Sequence, residues 1–309
     1  MKHKVLICDT VSQKCIELLR SMGFEVEYQP KITHEELVKK VEGYDAIIVR
    51  SRTKVTKEVI KAGSRLKVIG RAGAGLDNID LHAAKELGIE VLNTPEAPAN
   101  AVAELVIGLM LCLTRGICKA DTGMRAEKWL KSELLGMELR GKTIGIIGIG
   151  RVGTRVARLA KAFDMRILGR DIRSIEEGLL KELGMKMVSL EELLSESDFV
   201  VLCVPLTNET YHMIDEERLK KMKRTAYLIN ISRGEVVDEK ALLKALKEGM
   251  IAGAALDVYE VEPPHSYELM KLPNVVCTPH IGAQTVEAQD LAAAILVEKL
   301  GKALSSRDE

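Results

Sequence analysis

Short apolar runs alternate with stretches of helical spacing along almost the whole chain. Val5 to Cys8, Phe24 to Tyr28, Ala46 to Val49, Leu66 to Ile69 and Ile89 to Leu92 are brief and bounded by polar or turn residues, the pattern of buried strands. Between them, Val11 to Met22 repeats apolar residues at helical spacing and is closed by Gly23. Thr33-His34-Glu35-Glu36 has the capping-box spacing and opens a helix ending near Gly43, and Asp80 is placed to cap a helix running to Gly88. Strands apolar on both faces and joined by helices predict an open α/β unit with a parallel sheet.

Asn93-Thr94-Pro95-Glu96-Ala97-Pro98 breaks this rhythm with turn chemistry. Two helical stretches follow, to about Leu135. A second set of strands then reads as Lys142 to Ile147, Met165 to Leu168, Phe199 to Val204, Ala226 to Ile231, Ile251 to Val258 and Val275 to Thr278. Thr285 to Leu304 is one amphipathic helix. The changes of element type near Pro95–Pro98 and Gly282 predict a discontinuous first domain, 1–97 and 284–309, with a second domain, 98–283, inserted into it. No internal repeat or low-complexity segment interrupts the pattern.

Composition narrows the possibilities. The 309 residues include 45 Lys and Arg against 45 Asp and Glu, so the net charge is zero and no electrostatic footprint for nucleic acid or an anionic membrane is expected. The six cysteines form no CxxC pair, which argues against a zinc site or a disulfide framework and for buried reduced thiols in a cytoplasmic protein, and no metal is expected. The opening MKHKVLICDT lacks the apolar region of a signal peptide. The most apolar stretch, Ala99 to Leu113, is interrupted by Glu104 and falls short of the roughly 20 residues that span a bilayer, so a buried helix is expected.

Gly148-Ile149-Gly150-Arg151-Val152-Gly153 carries the first chemistry. It follows a strand, opens the helical pattern Val152 to Phe163, and is answered by Asp171, eighteen residues past the last glycine and just after the next strand. In such a turn the first glycine permits a tight bend, the second lets backbone approach a pyrophosphate, and the third lets helix pack on strand. The helix N-terminus offers N–H groups to the phosphates, and an acid at the position of Asp171 can bind a ribose 2′-hydroxyl. The expected cofactor is NAD.

In open α/β sheets ligands bind beyond the carboxyl ends of the strands. Three successive strands of the second domain run into Ser232-Arg233-Gly234, into Tyr259-Glu260-Val261-Glu262-Pro263-Pro264, and into Pro279-His280-Ile281-Gly282. They present a guanidinium, a carboxylate pair and an imidazole. Hydride transfer on a hydroxy acid needs those parts: a cation for the substrate carboxylate, a base for the hydroxyl proton, and a carboxylate to hold that base in one tautomer.

The segments Asn230–Gly234 with Val237-Asp238, Leu256–Pro263, and Thr278–Gly282 resemble the three signatures of the D-isomer-specific 2-hydroxyacid dehydrogenases. Arg71-Ala72-Gly73-Ala74-Gly75-Leu76-Asp77-Asn78-Ile79-Asp80 and Val49–Thr56 resemble the corresponding loops of the D-3-phosphoglycerate dehydrogenases within that family. The likeness covers nearly the whole chain. It implies a Rossmann NAD-binding domain inserted into a discontinuous, flavodoxin-like substrate domain. It assigns the catalytic roles to Arg233, to Glu262 rather than Glu260, and to His280 as acid/base.

The resemblance also implies the remaining contacts. Gly148, Gly150, Arg151, Val152 and Gly153 would hold the pyrophosphate, Asp171 the adenosine ribose, and Val204 and Pro205 the adenine side. Ile231, Ser232, Arg233 and Asp257 would approach the nicotinamide, with Asp257 bonding its carboxamide. Ala74 and the segment His280, Ile281, Gly282, Ala283 would complete the cofactor site. A small 2-hydroxy acid, phosphorylated, would meet Arg50, Ser51, Arg71, Gly73, Arg233 and His280. Ala74 stands where close relatives often have threonine, and Arg170 and Arg173 flank Asp171, placing two cations near any 2′-phosphate.

The activity so implied is oxidation of D-3-phosphoglycerate to 3-phosphohydroxypyruvate, the first step of serine synthesis. The alternatives are reduction of glyoxylate or hydroxypyruvate, and a non-catalytic NAD-sensing scaffold. The chain stops soon after the last helix, which speaks against feedback by serine through an appended regulatory domain. Trp129, with Leu130, Leu134, Leu135 and Met137, reads as core or, by the resemblance, as a contact across a homodimer.

Overall fold

The computed structural model describes residues 3–306. The chain divides into two compact units, one comprising residues up to Ala99 and from Ala283 onward, the other Asn100–Gly282. Residues 1, 2 and 307–309 of the expected first domain lie outside the described residues.

In the first unit the strands are β1 (Lys4–Ile7), β2 (Glu25–Tyr28), β3 (Ala46–Val49), β4 (Val68–Arg71) and β5 (Glu90–Asn93), and the sheet order β2-β1-β3-β4-β5 is parallel throughout. Its helices are α1 (Gln13–Ser21), α2 (His34–Lys40), α3 (Lys57–Ala62) and α4 (Leu81–Glu86), and, after the inserted unit, α12 (Val286–Ser305). Side chains alternate across a strand, so one sheet face collects Val5, Ile7, Ala46, Ile48 and Val68 against α1 and α12. The other collects Leu6, Ile47 and Ile69 against Leu37, Val59, Ile60 and Ala83 of α2 to α4. The helix far along the chain is thus part of this core, through Ala293, Leu296, Val297 and Leu300.

The predicted caps are present. Glu36 N–H donates to Thr33 Oγ1 at 3.2 Å while Thr33 N–H donates to Glu36 Oε2 at 2.8 Å, and Ala83 N–H donates to Asp80 Oδ1 at 2.9 Å. Two details differ from the sequence pattern. Helix α3 has six residues, of which only Val59 and Ile60 are buried, too few to display a helical period. Strand β4 begins two residues later than its apolar run, because pairing with β3 sets the register Ile48↔Gly70 and Val49↔Arg71. Arg71 therefore ends the strand.

The second unit takes over one residue into α5 (Ala99–Arg115), which α6 (Ile117–Arg125) follows, and continues β6 (Thr143–Ile147), α7 (Arg151–Ala162), β7 (Arg166–Arg170), α8 (Glu177–Leu183), β8 (Met185–Met187), α9 (Leu190–Glu196) and β9 (Phe199–Leu202). It ends α10 (Glu216–Lys221), β10 (Tyr227–Asn230), α11 (Glu239–Lys247), β11 (Gly253–Leu256) and β12 (Val275–Cys277). The parallel order is β12-β11-β10-β9-β6-β7-β8. The chain leaves β6 in one direction to β7 and β8, then returns to β9 on its other side, which creates a topological switch point at the carboxyl ends of β6 and β9. Helices cover both faces: α5 and α7 on Ile144, Ile146, Phe199 and Val201, and α9 to α11 on Ile147, Val200, Leu202 and Leu228. Among the described residues no single helix is long and apolar enough to cross a membrane.

Trp129 is 76 % and Leu135 99 % exposed, so neither belongs to the core of this unit. All six cysteines are free, but only Cys8 and Cys15 are buried; Cys118 is exposed and the others lie half-buried, which corrects the expectation of buried thiols.

Candidate functional site

The glycine-rich turn sits at the switch point, and its three glycines are there for three different reasons. Gly148 has φ +96°, and a Cβ on it would lie 2.6 Å from the Cys203 carbonyl oxygen, so a side chain is excluded by both backbone and neighbour. A Cβ on Gly153 would lie 2.1 Å from Gly148 O, where α7 crosses the turn. Gly150 faces open space, and α7 begins immediately after it with Arg151, exposed, and Val152, half-buried. A cradle closed on the protein side and open before a helix N-terminus fits a dinucleotide pyrophosphate.

Asp171 follows β7 and folds toward this turn, accepting from Ile149 N–H at 2.7 Å and from Arg173 N–H at 2.9 Å. The Arg173 guanidinium grips both carboxylate oxygens at 3.0 Å. These hydrogen bonds, Arg173 foremost, outweigh burial and bring the Asp171 carboxyl down to about 2. Val204 touches the turn from the end of β9, and the exposed Pro205 lends its carbonyl to Thr210 Oγ1 at 2.7 Å.

Beyond β10, Asn230 organises the turn to Ser232 and Arg233. Its carbonyl oxygen accepts from Ser232 N–H at 3.1 Å and from Ser232 Oγ at 2.9 Å, while its amide donates to Arg233 O at 2.8 Å. Ile231 is half-buried beside the core. Arg233 donates through one terminal nitrogen to Ser232 O at 2.7 Å, and its charge reaches Glu262. Gly234 packs directly against the loop after β11: a Cβ on it would lie 1.8 Å from the Tyr259 carbonyl carbon.

Beyond β11, Asp257 is 1 % exposed and its carboxylate accepts three hydrogen bonds from the loop after β12: Thr278 Oγ1 at 2.6 Å, Ile281 N–H at 2.8 Å and Gly282 N–H at 2.8 Å. A buried carboxylate is tolerated because these donors replace water. They also hold His280 at φ +53°, a left-handed conformation that costs a non-glycine residue roughly 1–2 kcal/mol. In that conformation His280 Nδ1 lies 2.7 Å from Glu262 Oε2, and Glu262 Oε1 accepts from Tyr259 N–H at 3.2 Å. Burial pushes the Glu262 carboxyl up, but the hydrogen bond and charge of His280, the Tyr259 N–H and Arg233 together bring it below the usual carboxylate range. The Glu262–Pro263 peptide is cis. Ala283 lies half-buried just past this loop.

In the first unit Arg50 is half-buried, with long contacts from its guanidinium to Thr10 O at 3.3 Å and Gln284 Oε1 at 3.5 Å. Burial lowers its pKa, the charge of Asp9 opposing. Ser51 is exposed. Arg71 lies across Gly73, whose φ is +147° and where a Cβ would fall 1.4 Å from the arginine's terminal nitrogen. Gly73 is the slot for that guanidinium. Ala74 is exposed and its carbonyl accepts from Asn93 Nδ2 at 2.7 Å.

Sequence reasoning missed the residues that hold these loops. Asp9, 2 % exposed, accepts from Arg50 N–H, from Thr53 Oγ1 at 2.7 Å and from Arg52 Nε at 3.0 Å. Arg52 is thereby committed to structure. Asn78 ties Arg50 O at 2.7 Å to Thr53 O at 2.6 Å. An acid directly after β1 was the one available signal.

Residues 107–282 match the family described as D-isomer specific 2-hydroxyacid dehydrogenase, NAD binding domain. The chain is 46 % identical over 302 residues to a D-3-phosphoglycerate dehydrogenase of Methanocaldococcus jannaschii, covering 97 % of this chain and 57 % of that protein, so it spans little more than half that relative's length. It is 46 % identical over 310 residues to a glyoxylate reductase of Thermococcus onnurineus, covering 97 % of this chain and 92 % of that protein. Among solved structures, a protein of Thermus thermophilus superposes with a TM-score of 0.89 at 38 % identity, covering 98 % of this chain and 97 % of its own.

Proposed function

The chain belongs to the D-isomer-specific 2-hydroxyacid dehydrogenase family, and from that premise we propose that it is an NAD-dependent oxidoreductase interconverting a D-2-hydroxy acid and its 2-keto acid, with D-3-phosphoglycerate as substrate. The observation that carries the reading is the 2.7 Å contact between His280 Nδ1 and Glu262 Oε2. With Nδ1–H donated to Glu262, neutral His280 keeps Nε2 unprotonated and able to take the hydroxyl proton during oxidation. The carboxylate, held ionised, stabilises the imidazolium that forms. In reduction the protonated His280 returns that proton to the keto oxygen. Arg233 pairs the substrate carboxylate and polarises the adjacent carbonyl. The turn from Gly148 to Gly153, Asp171 and the residues after β10 to β12 would hold NAD(H), which would supply the hydride acceptor or donor.

The phosphate preference rests on Arg50 and Arg71, since guanidinium groups pair oxyanions bidentately. The product would then be the first intermediate of serine biosynthesis. A second reading, reduction of glyoxylate or hydroxypyruvate, is favoured by the equal identity to a glyoxylate reductase. We further propose a homodimer joined through the exposed segment around Trp129 and Leu135.

The deciding experiment is turnover of D-3-phosphoglycerate, glyoxylate and hydroxypyruvate with NAD(H) and NADP(H). A kcat/KM highest for phosphoglycerate supports the first reading, and one highest for an unphosphorylated keto acid replaces it with the second. Absence of turnover on all three would remove both substrate readings and bring forward the NAD-sensing scaffold.

A further inference from the structure

A further histidine–glutamate pair, close in space to the catalytic loops, stands outside the catalytic one. His212 Nε2 lies 2.9 Å from Glu260 Oε1, with both side chains 30 % exposed. The same Glu260 oxygen accepts from Glu239 N–H at 3.1 Å, and Glu260 N–H donates to Glu239 Oε1 at 2.8 Å. Glu260 is thus tied at backbone and side chain.

His212 is itself fixed. It lies in the segment after β9, and its N–H donates to Glu235 O at 2.8 Å, beside a short ladder in which Ile214 N–H donates to Val236 O at 3.0 Å and Asp238 N–H to Ile214 O at 3.0 Å. Its backbone is left-handed, φ +46°, and its ring stacks on Tyr211 with centroids 4.1 Å apart. None of these groups belongs to the proposed chemistry.

What they hold does. Tyr259, joined to Glu260 by the peptide that Gly234 packs against next to Arg233, is the junction of the catalytic loops: its N–H donates to Glu262 Oε1, and its OH donates to Thr278 O at 2.9 Å just before His280. We infer that His212 is a positioning residue for the Glu262–His280 pair, acting through Glu260. This rests on the proposed dehydrogenase reading.

The electrostatics give the link its strength. Asp238 and Glu239 lie beside Glu260: side-chain ligand atoms of His212, Asp238 and Glu260 lie within 4.8 Å of one another, and Glu239 Oε1 accepts from Glu260 N–H. The Glu239 carboxyl is pushed up by burial and by the charges of Glu260 and Glu235. With the imidazole removed, Glu260 faces those acids with only the Glu239 N–H as donor, and the peptide it anchors relaxes away from them. A displacement of about 1 Å in a catalytic group costs about a hundredfold in rate.

The test compares His212→Ala, His212→Asn and His212→Gln in the full chain. The glutamine amide reaches the place of Nε2, whereas the shorter asparagine does not. Alanine and asparagine should lower kcat about ten- to a hundredfold, leave KM for NADH within about twofold, and glutamine should restore most of the loss. Should the alanine variant fail to fold, the contrast of asparagine with glutamine carries the test. Wild-type kcat in the alanine or asparagine variant would overturn the inference, as would equal impairment in glutamine or a fall in NADH affinity parallel to kcat. Carbon-13 titration of the Glu262 carboxyl separates this from failure of the dehydrogenase reading. It should move up toward the usual carboxylate range in the alanine and asparagine variants, whether or not the wild-type protein turns over any hydroxy acid. No movement there would overturn the positioning role.

Discussion

Arg173 closes over Asp171: its Nε and one terminal nitrogen each lie 3.0 Å from a carboxylate oxygen, and Ile149 N–H reaches the same carboxylate at 2.7 Å. The acid expected to receive a ribose diol therefore already has a cation seated on it, and the cation's own side chain is mostly exposed. Cofactor preference and acid stability both follow from this pair.

A ribose bound at Asp171, as proposed, would compete with the Arg173 guanidinium for the carboxylate oxygens. The Asp171 side chain is only 5 % exposed, so its pair with Arg173 is not a surface one, and Arg173→Ala should tighten NAD binding. It should also weaken NADP, by removing a cation from the 2′-phosphate. Asp171→Ala should do the opposite and relax the preference for NAD. Cofactor KM values for both variants check this, and weaker NAD binding in Arg173→Ala would refute it.

A carboxyl that holds its proton less tightly folded than unfolded stabilises the fold where it is ionised in both states. For Asp171 this contribution is complete above about pH 4 and disappears as the pH falls toward about 2. Asp171→Asn should therefore flatten the pH dependence of the urea midpoint between about pH 4 and 2 in the cofactor-free protein. A dependence identical to wild type in that window would show that the pair contributes nothing.

His280→Ala should lower kcat by about 10²–10⁴ with NADH affinity nearly intact, the range for positioned acid–base catalysis. Glu262→Gln should hurt less, because an amide still orients the ring but no longer stabilises the imidazolium. Near-normal turnover in His280→Ala would mean that another group carries the proton.

Gly73→Ala probes the proposed phosphate site without touching a charge. Its Cβ and the left-handed φ would displace Arg71. Like Arg71→Ala and Arg50→Ala, it should lower kcat/KM for phosphoglycerate by roughly ten- to a hundredfold, the worth of a charged hydrogen bond. Glyoxylate reduction should suffer less. Equal losses on both substrates would favour the reductase reading.

Leu135→Glu should convert the proposed dimer to monomer, because a charge in place of a fully exposed leucine is harmless in a monomer and costly in an interface. Sedimentation velocity reports the outcome, and a wild-type monomer at micromolar concentration would exclude the interface.

Much of this was written locally. Apolar runs too short for helices, the Thr33 capping box and the three glycines are decided by neighbours a few residues away, so the alternation of strands and helices was legible before any coordinates. The order of Arg233, Glu262 and His280 after successive strands was legible too, because parallel sheets collect strand ends on one side. Tertiary structure decided the rest. Pairing with β3, not hydropathy, put Arg71 at the end of β4. Long-range hydrogen bonds committed Asp257 to the loop of His280, Asp9 to the loop of Arg50 and Glu260 to His212. These partners lie 24, 41 and 48 residues apart, and no periodicity or spacing encodes a hydrogen bond across such a distance. A carboxylate in a sequence is only a charge; which donors replace its water is settled when the sheet brings distant loops together.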